Sequence, residues 1–151
     1  MKKAFVALFG IVLLTGAFTQ ADVFKSNEVI DYSRGVVVPC TGEFVLLEGR
    51  LHVTQHATFN DNNFNFKSHF NPVNLKGTGD QGSEYNGVGV TRFGDSGSYD
   101  GFPWSYTYVN NFYMIGKGQA PNYKVHETMH VTINANGDVT TDRMDTRITC
   151  D

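Results

Sequence analysis

A chain of 151 residues with 12 basic and 15 acidic side chains has no basic stripe of the kind nucleic acid needs, and its net charge of −3 points away from such partners. Lys2 and Lys3, an apolar run from Ala4 to about Ala17 and the exit Thr19-Gln20-Ala21 read as a secretory signal peptide over 1–21, shorter than a membrane span. The remaining 22–151 form one domain of ordinary size, with ten basic against fifteen acidic residues and no later stretch apolar enough to cross a bilayer.

A secreted or periplasmic protein is therefore expected, with no membrane contact once the leader is removed. The two cysteines, Cys40 and Cys150, stand near the two ends of this domain. In an oxidising compartment the pair reads as one disulfide enclosing almost the whole domain. Closing so long a loop is worth about 4 to 5 kcal/mol in the chain-entropy account.

From Asp22 to Ser33 the sequence has no clear period and reads as an irregular arm. Arg34–Val38 is a short β-branched run ended by Pro39. Glu43–Phe59 is β-prone, with Gly49 where a strand bends or bulges. Asn60–Asn63 is a turn, and Phe64–Pro72 returns with alternation. Superposing the apolar faces pairs Phe59 with Phe64, Ala57 with Phe66, His56 with Lys67 and Thr54 with His69.

Val73–Gly79 is a separate short strand, and Tyr85–Phe93 another, with Gly87 and Gly89 where something bulky comes close. Gly94–Gly101 reads as a polar loop. Phe102–Gly116 is an aromatic strand with Phe102, Trp104, Tyr106 and Tyr108 on one face, read as core in preference to a stacking surface for a flat ligand. After the turn at Gly118–Pro121 comes a strand that reaches the Asn136-Gly137 hairpin signal, and then a last strand from Val139 to Cys150. A turn centred there pairs His130 with Arg143, Thr128 with Asp145, His126 with Arg147, Met129 with Met144 and Val125 with Ile148. No segment holds helical spacing, so the expectation is a single all-β antiparallel β-barrel of about eight strands, or alternatively a β-sandwich.

One pattern occurs twice. Leu51-His52-Val53-Thr54-Gln55-His56-Ala57-Thr58-Phe59-Asn60-Asp61-Asn62 and Val125-His126-Glu127-Thr128-Met129-His130-Val131-Thr132-Ile133-Asn134-Ala135-Asn136 both read apolar-His-x-Thr-x-His-x-Thr-apolar-Asn-x-Asn. The second copy contains H-E-x-x-H. Zinc proteases need that motif on a helix, whereas on a strand its two histidines lie about 13 Å apart and cannot share an ion. Gly77-Thr78-Gly79-Asp80-Gln81-Gly82 matches a pyrophosphate loop but no helix follows. Gly94-Asp95-Ser96-Gly97-Ser98 resembles the nucleophile loop of trypsin-like proteases, in a chain too short for their two barrels. No metal or cofactor is expected from these matches.

The alternation places His52, His56, His69, His126 and His130 on the less apolar faces of their hairpins. Such a face is either the solvent side of a half-exposed sheet or, if turned inward, the lining of a cavity in which the histidines join Lys67, Arg143, Asp145 and Arg147 around an anionic or hydroxylated ligand, or hold a metal through His residues on neighbouring strands.

The motifs Gly49-x-Leu51-His52-x-x-x-His56, Ser68-His69-Phe70-Asn71-Pro72, Tyr106-Thr107-Tyr108-Val109-Asn110-Asn111-Phe112 and His126-Glu127-x-x-His130-Val131-Thr132-x-Asn134-Ala135-Asn136-Gly137-x-Val139-Thr140, with a Cys near the end, resemble those of a family of small exported bacterial proteins without assigned function. The resemblance covers Cys40 to Cys150 and implies no activity. Thr54 and Gln55 depart from it where apolar residues are expected. The functional expectation is a non-enzymatic barrel that binds a small molecule. Its alternatives are a cyclase- or isomerase-type enzyme using His with Arg or Asp, and a surface interaction protein.

Overall fold

The computed structural model describes residues 21–151, and the expected signal peptide lies, but for Ala21, outside them. Seven strands follow one another: β1 Asp22–Val37, β2 Phe44–Phe59, β3 Asn63–Gly79, β4 Glu84–Ser98, β5 Trp104–Gly116, β6 Tyr123–Ile133 and β7 Val139–Cys150. They form one antiparallel sheet in which each strand pairs with its neighbours in sequence. Among the described residues β1 and β7 share no ladder, so hydrogen bonds do not close the sheet into a barrel. The Cys40–Cys150 disulfide joins the β1–β2 turn to the end of β7, with the Cα atoms 5.9 Å apart.

The expected registers are present. Phe59 pairs with Phe64, Ala57 with Phe66, His56 with Lys67 and Thr54 with His69. Across the last hairpin His130 pairs with Arg143, Thr128 with Asp145, His126 with Arg147, Met129 with Met144 and Val125 with Ile148. In both hairpins the turn fixes the offset and the apolar face fixes the phase, so a slip of one residue would turn every side chain over.

Three segments differ from the sequence reading. Asp22–Ser33 is no irregular arm, because all of β1 pairs with β2, from Asp22 opposite Phe59 to Val37 opposite Phe44. The long edge of β2 supplies the backbone partners, and most side chains of β1 are exposed on both faces, so no alternation marks the strand. Phe64–Pro72 and Val73–Gly79 are one strand, which makes the total seven in place of about eight. The register with β2 shifts between Glu48 and Arg50 to admit an extra residue in β3 near Asn74, whose φ is 53°. Pro72 falls within this irregular stretch, where the β3–β4 ladder lapses between Phe70 and Leu75 and a missing N–H costs no ladder bond on that side. Gly94–Ser98 is likewise strand, held between β3 and β5.

Glycine permits close approaches of neighbouring strands, two of them around Leu75. A Cβ on Gly49 would stand 2.7 Å from the carbonyl oxygen of Asn74, and one on Gly87 would stand 2.8 Å from the Leu75 side chain. The core lies at the disulfide end, where Val38, Val45, Leu47, Leu75, Tyr85, Met114 and Tyr123 pack together. Glu43 is buried there at 1% exposure, and its carboxylate accepts from the Gln81 and Ser83 backbone N–H groups at 3.2 Å each and from the Tyr85 hydroxyl at 3.1 Å. These bonds tie the β1–β2 turn to the β3–β4 turn, as a buried charge requires.

Candidate functional site

The inner face of the curled sheet holds a partly open cavity of about 540 Å³ above the core. Its lower wall is apolar, with Leu47 and Leu51 from β2, Leu75 from β3, Phe112 from β5 and Tyr123 and Val125 from β6. Across it runs a polar row. Thr91, Asn110 and Glu127 are consecutive cross-strand partners on β4, β5 and β6. The Thr91 hydroxyl donates to Asn110 Oδ1 at 2.9 Å, and Asn110 Nδ2 donates to Glu127 Oε2 at 2.9 Å.

Arg34, Tyr32 and Tyr108 complete the polar lining. Among the described residues Arg34 is its only cation and Glu127 its only carboxylate. Burial pushes the Tyr108 hydroxyl above its ordinary pKa, the Glu127 carboxylate and Tyr106 add to the effect, and the Arg34 guanidinium opposes it. Tyr108 therefore stays protonated at neutral pH and can donate into the cavity. Tyr123 is raised to about 12, first by burial and then by the neighbouring Tyr85 and Tyr32.

The four aromatics expected as core, Phe102, Trp104, Tyr106 and Tyr108, lie outside the buried core cluster. Trp104, Tyr106 and Tyr108 are half-buried on the inner face, while Phe102 precedes β5 and is exposed. Rings of Phe66, Phe93, Tyr106 and Trp104 adjoin in series, with centroids 5.6, 5.3 and 6.0 Å apart. Trp104 Nε1 donates to Asp95 Oδ1 at 2.6 Å.

The histidine-rich faces lie on the opposite side of the sheet from the cavity. His52 and His56 alternate with buried Val53 and Ala57, and His69 follows buried Ser68. In the same way His126 and His130 alternate with the inward Val125 and Glu127. The predicted cluster is divided in two, with His52, His56 and His69 on β2 and β3, and His126, His130, Arg143, Asp145 and Arg147 on β6 and β7. Strands β4 and β5 stand between, placing β3 about 14 Å from β6 in a flat sheet.

The second group lines a shallow outer depression of about 450 Å³. There Arg147 pairs with Asp145 at 3.0 Å, His126 Nδ1 meets Asn111 Oδ1 at 2.6 Å and His130 Nδ1 meets Thr107 Oγ1 at 2.9 Å. In the first group His52 Nε2 meets Asn27 Oδ1 at 2.5 Å. Among the described residues no three His, Cys, Asp or Glu side chains are grouped to hold a metal ion. H-E-x-x-H lies on β6, where its Glu faces the cavity and its histidines face away. The pyrophosphate-like motif spans the end of β3 and the β3–β4 turn, and the protease-like one lies within β4.

Sequence reasoning missed Arg34, Thr91, Asn110 and Glu127 as cavity residues. A signal for two of them exists, since Asn110 interrupts Tyr108-x-x-x-Phe112 and Glu127 interrupts Val125-x-x-x-Met129 on otherwise apolar faces. No protein-family model matches the chain, and no curated protein or solved structure matches it either.

Proposed function

We propose that this chain is an exported, non-enzymatic protein that binds a small molecule in the cavity of its curled sheet. The observation that carries the reading is the Thr91–Asn110–Glu127 row set into an apolar wall. Polar groups in such a wall cost stability relative to apolar ones, and a cavity of this size with a few convergent polar groups is what a small-ligand site requires. Export is supported by the leader-like residues 1–21 together with the disulfide.

The test is native mass spectrometry on protein purified gently from its own compartment, beside the Leu51→Trp variant that fills the cavity. A small-molecule adduct is expected on the wild type and not on the variant. An adduct of equal abundance on both, or none on either, contradicts it.

A further inference from the structure

Building on that reading, we infer that the ligand is an amphiphilic organic anion: an apolar body on the lower wall, one anionic group at Arg34, and a hydroxyl or N–H donor toward Glu127. The sign follows from which cavity charge already has a partner. Glu127 Oε2 accepts from Asn110, and Thr91 fixes the orientation of that amide. Among the described residues Arg34, which is solvent-exposed on β1, has no such partner. The two ion pairs among the described residues are Lys117–Glu84 and Arg147–Asp145, and neither lines the cavity.

A guanidinium on a cavity wall presents a planar fork of donors that matches a carboxylate or sulfonate better than any neutral group. It stands on β1, the first strand of the curl, whereas Glu127 stands on β6. A ligand in the cavity thus meets a cationic donor from β1 and an acceptor, Glu127 Oε1, from β6. Below lie Leu47, Leu75 and Phe112, which gain nothing from a fully polar ligand and favour an aliphatic or aromatic body.

Two dyes isolate the anionic group. 8-Anilinonaphthalene-1-sulfonate has an aromatic body, an N–H and a sulfonate; N-phenyl-1-naphthylamine keeps the first two and lacks the third. Fluorescence titrations of wild type and Arg34→Gln with both dyes are expected to show one saturable site. The substitution should weaken the sulfonate dye about tenfold, the size of one charge-assisted hydrogen bond, and leave the neutral dye within about twofold.

Equal loss of both dyes in Arg34→Gln, or loss of neither, overturns the anionic assignment while cavity binding stands. If neither dye binds the wild type at a single site, the cavity reading fails along with it.

Discussion

Asn110 donates a 2.9 Å hydrogen bond to Glu127 across the β5–β6 pair, and its carbonyl oxygen accepts from Thr91 on β4. One amide thus joins three strands at the level where the cavity begins, and its two ends can be satisfied together only in this orientation. Asn110→Leu leaves Thr91 and Glu127 without that partner. The expected cost is about 1 to 3 kcal/mol, read as a lower urea midpoint with an unchanged m-value. Unchanged stability would show that the row contributes nothing.

Glu43 contributes to the acid limb. Burial acts to raise its carboxyl, but hydrogen bonds from Ser83, Tyr85 and Gln81 outweigh this and hold it below the usual 4.5. A depressed carboxyl contributes stability that is fully present above its unfolded value and lost as pH falls through the folded one. Between pH 7 and pH 2 the wild type should lose stability more steeply than Glu43→Gln, and the variant should be the less stable at pH 7. Parallel acid limbs would contradict this account of Glu43.

Tyr123 acts at the other extreme. With its hydroxyl raised to about 12 against 10.0 for a free tyrosine, its contribution is present below pH 10 and fades as pH rises toward 12. Tyrosinate absorbance should show one late-ionising group that Tyr123→Phe removes. If the variant keeps the late group, Tyr123 is not its source.

Among the described residues no ladder joins β1 to β7, and the disulfide is a covalent link between the ends of the curl. Replacing Cys40 and Cys150 together by Ser should cost about 2 to 5 kcal/mol and weaken cavity binding, because the bridge joins the ends of the curl. Thermal melts and dye titration read the two effects. A variant with wild-type affinity would mean that the curl holds without the bridge.

The outer histidines give a negative control. His56→Gln with His69→Gln should leave dye affinity within about twofold, since both side chains face away from the cavity. A tenfold loss would return the site to the histidine face.

Much of this fold was legible because two signals agreed in each clear hairpin. For β6–β7 the Asn136-Gly137 turn and the alternation from Val125 to Ile133 give the same offset, and every predicted pair is present. β1 was illegible because most of its side chains are exposed, with only Ser26, Tyr32 and Val36 partly buried, and its strand character comes from the edge of β2. The bulge near Asn74 was hidden because Pro72 looks like a terminator unless the local lapse of the β3–β4 ladder is known.

The candidate site was harder to read for a related reason. Alternation assigns residues to faces but does not say which face curls inward, so the conspicuous histidines drew attention from Asn110 and Glu127, single polar residues within apolar faces. Arg34 joins them through the curl of the sheet, which no short-range pattern encodes.

The inner cavity is the working surface proposed for this protein. The most direct measurement is a methyl-labelled NMR titration with 8-anilinonaphthalene-1-sulfonate. Saturable shifts are expected at Leu47, Leu51, Leu75, Val90 and Val125, which line the cavity, with the exposed Val29 and Val139 unmoved. Shifts confined to Val29, Val139 and other exposed methyls, with the cavity methyls still, would contradict it.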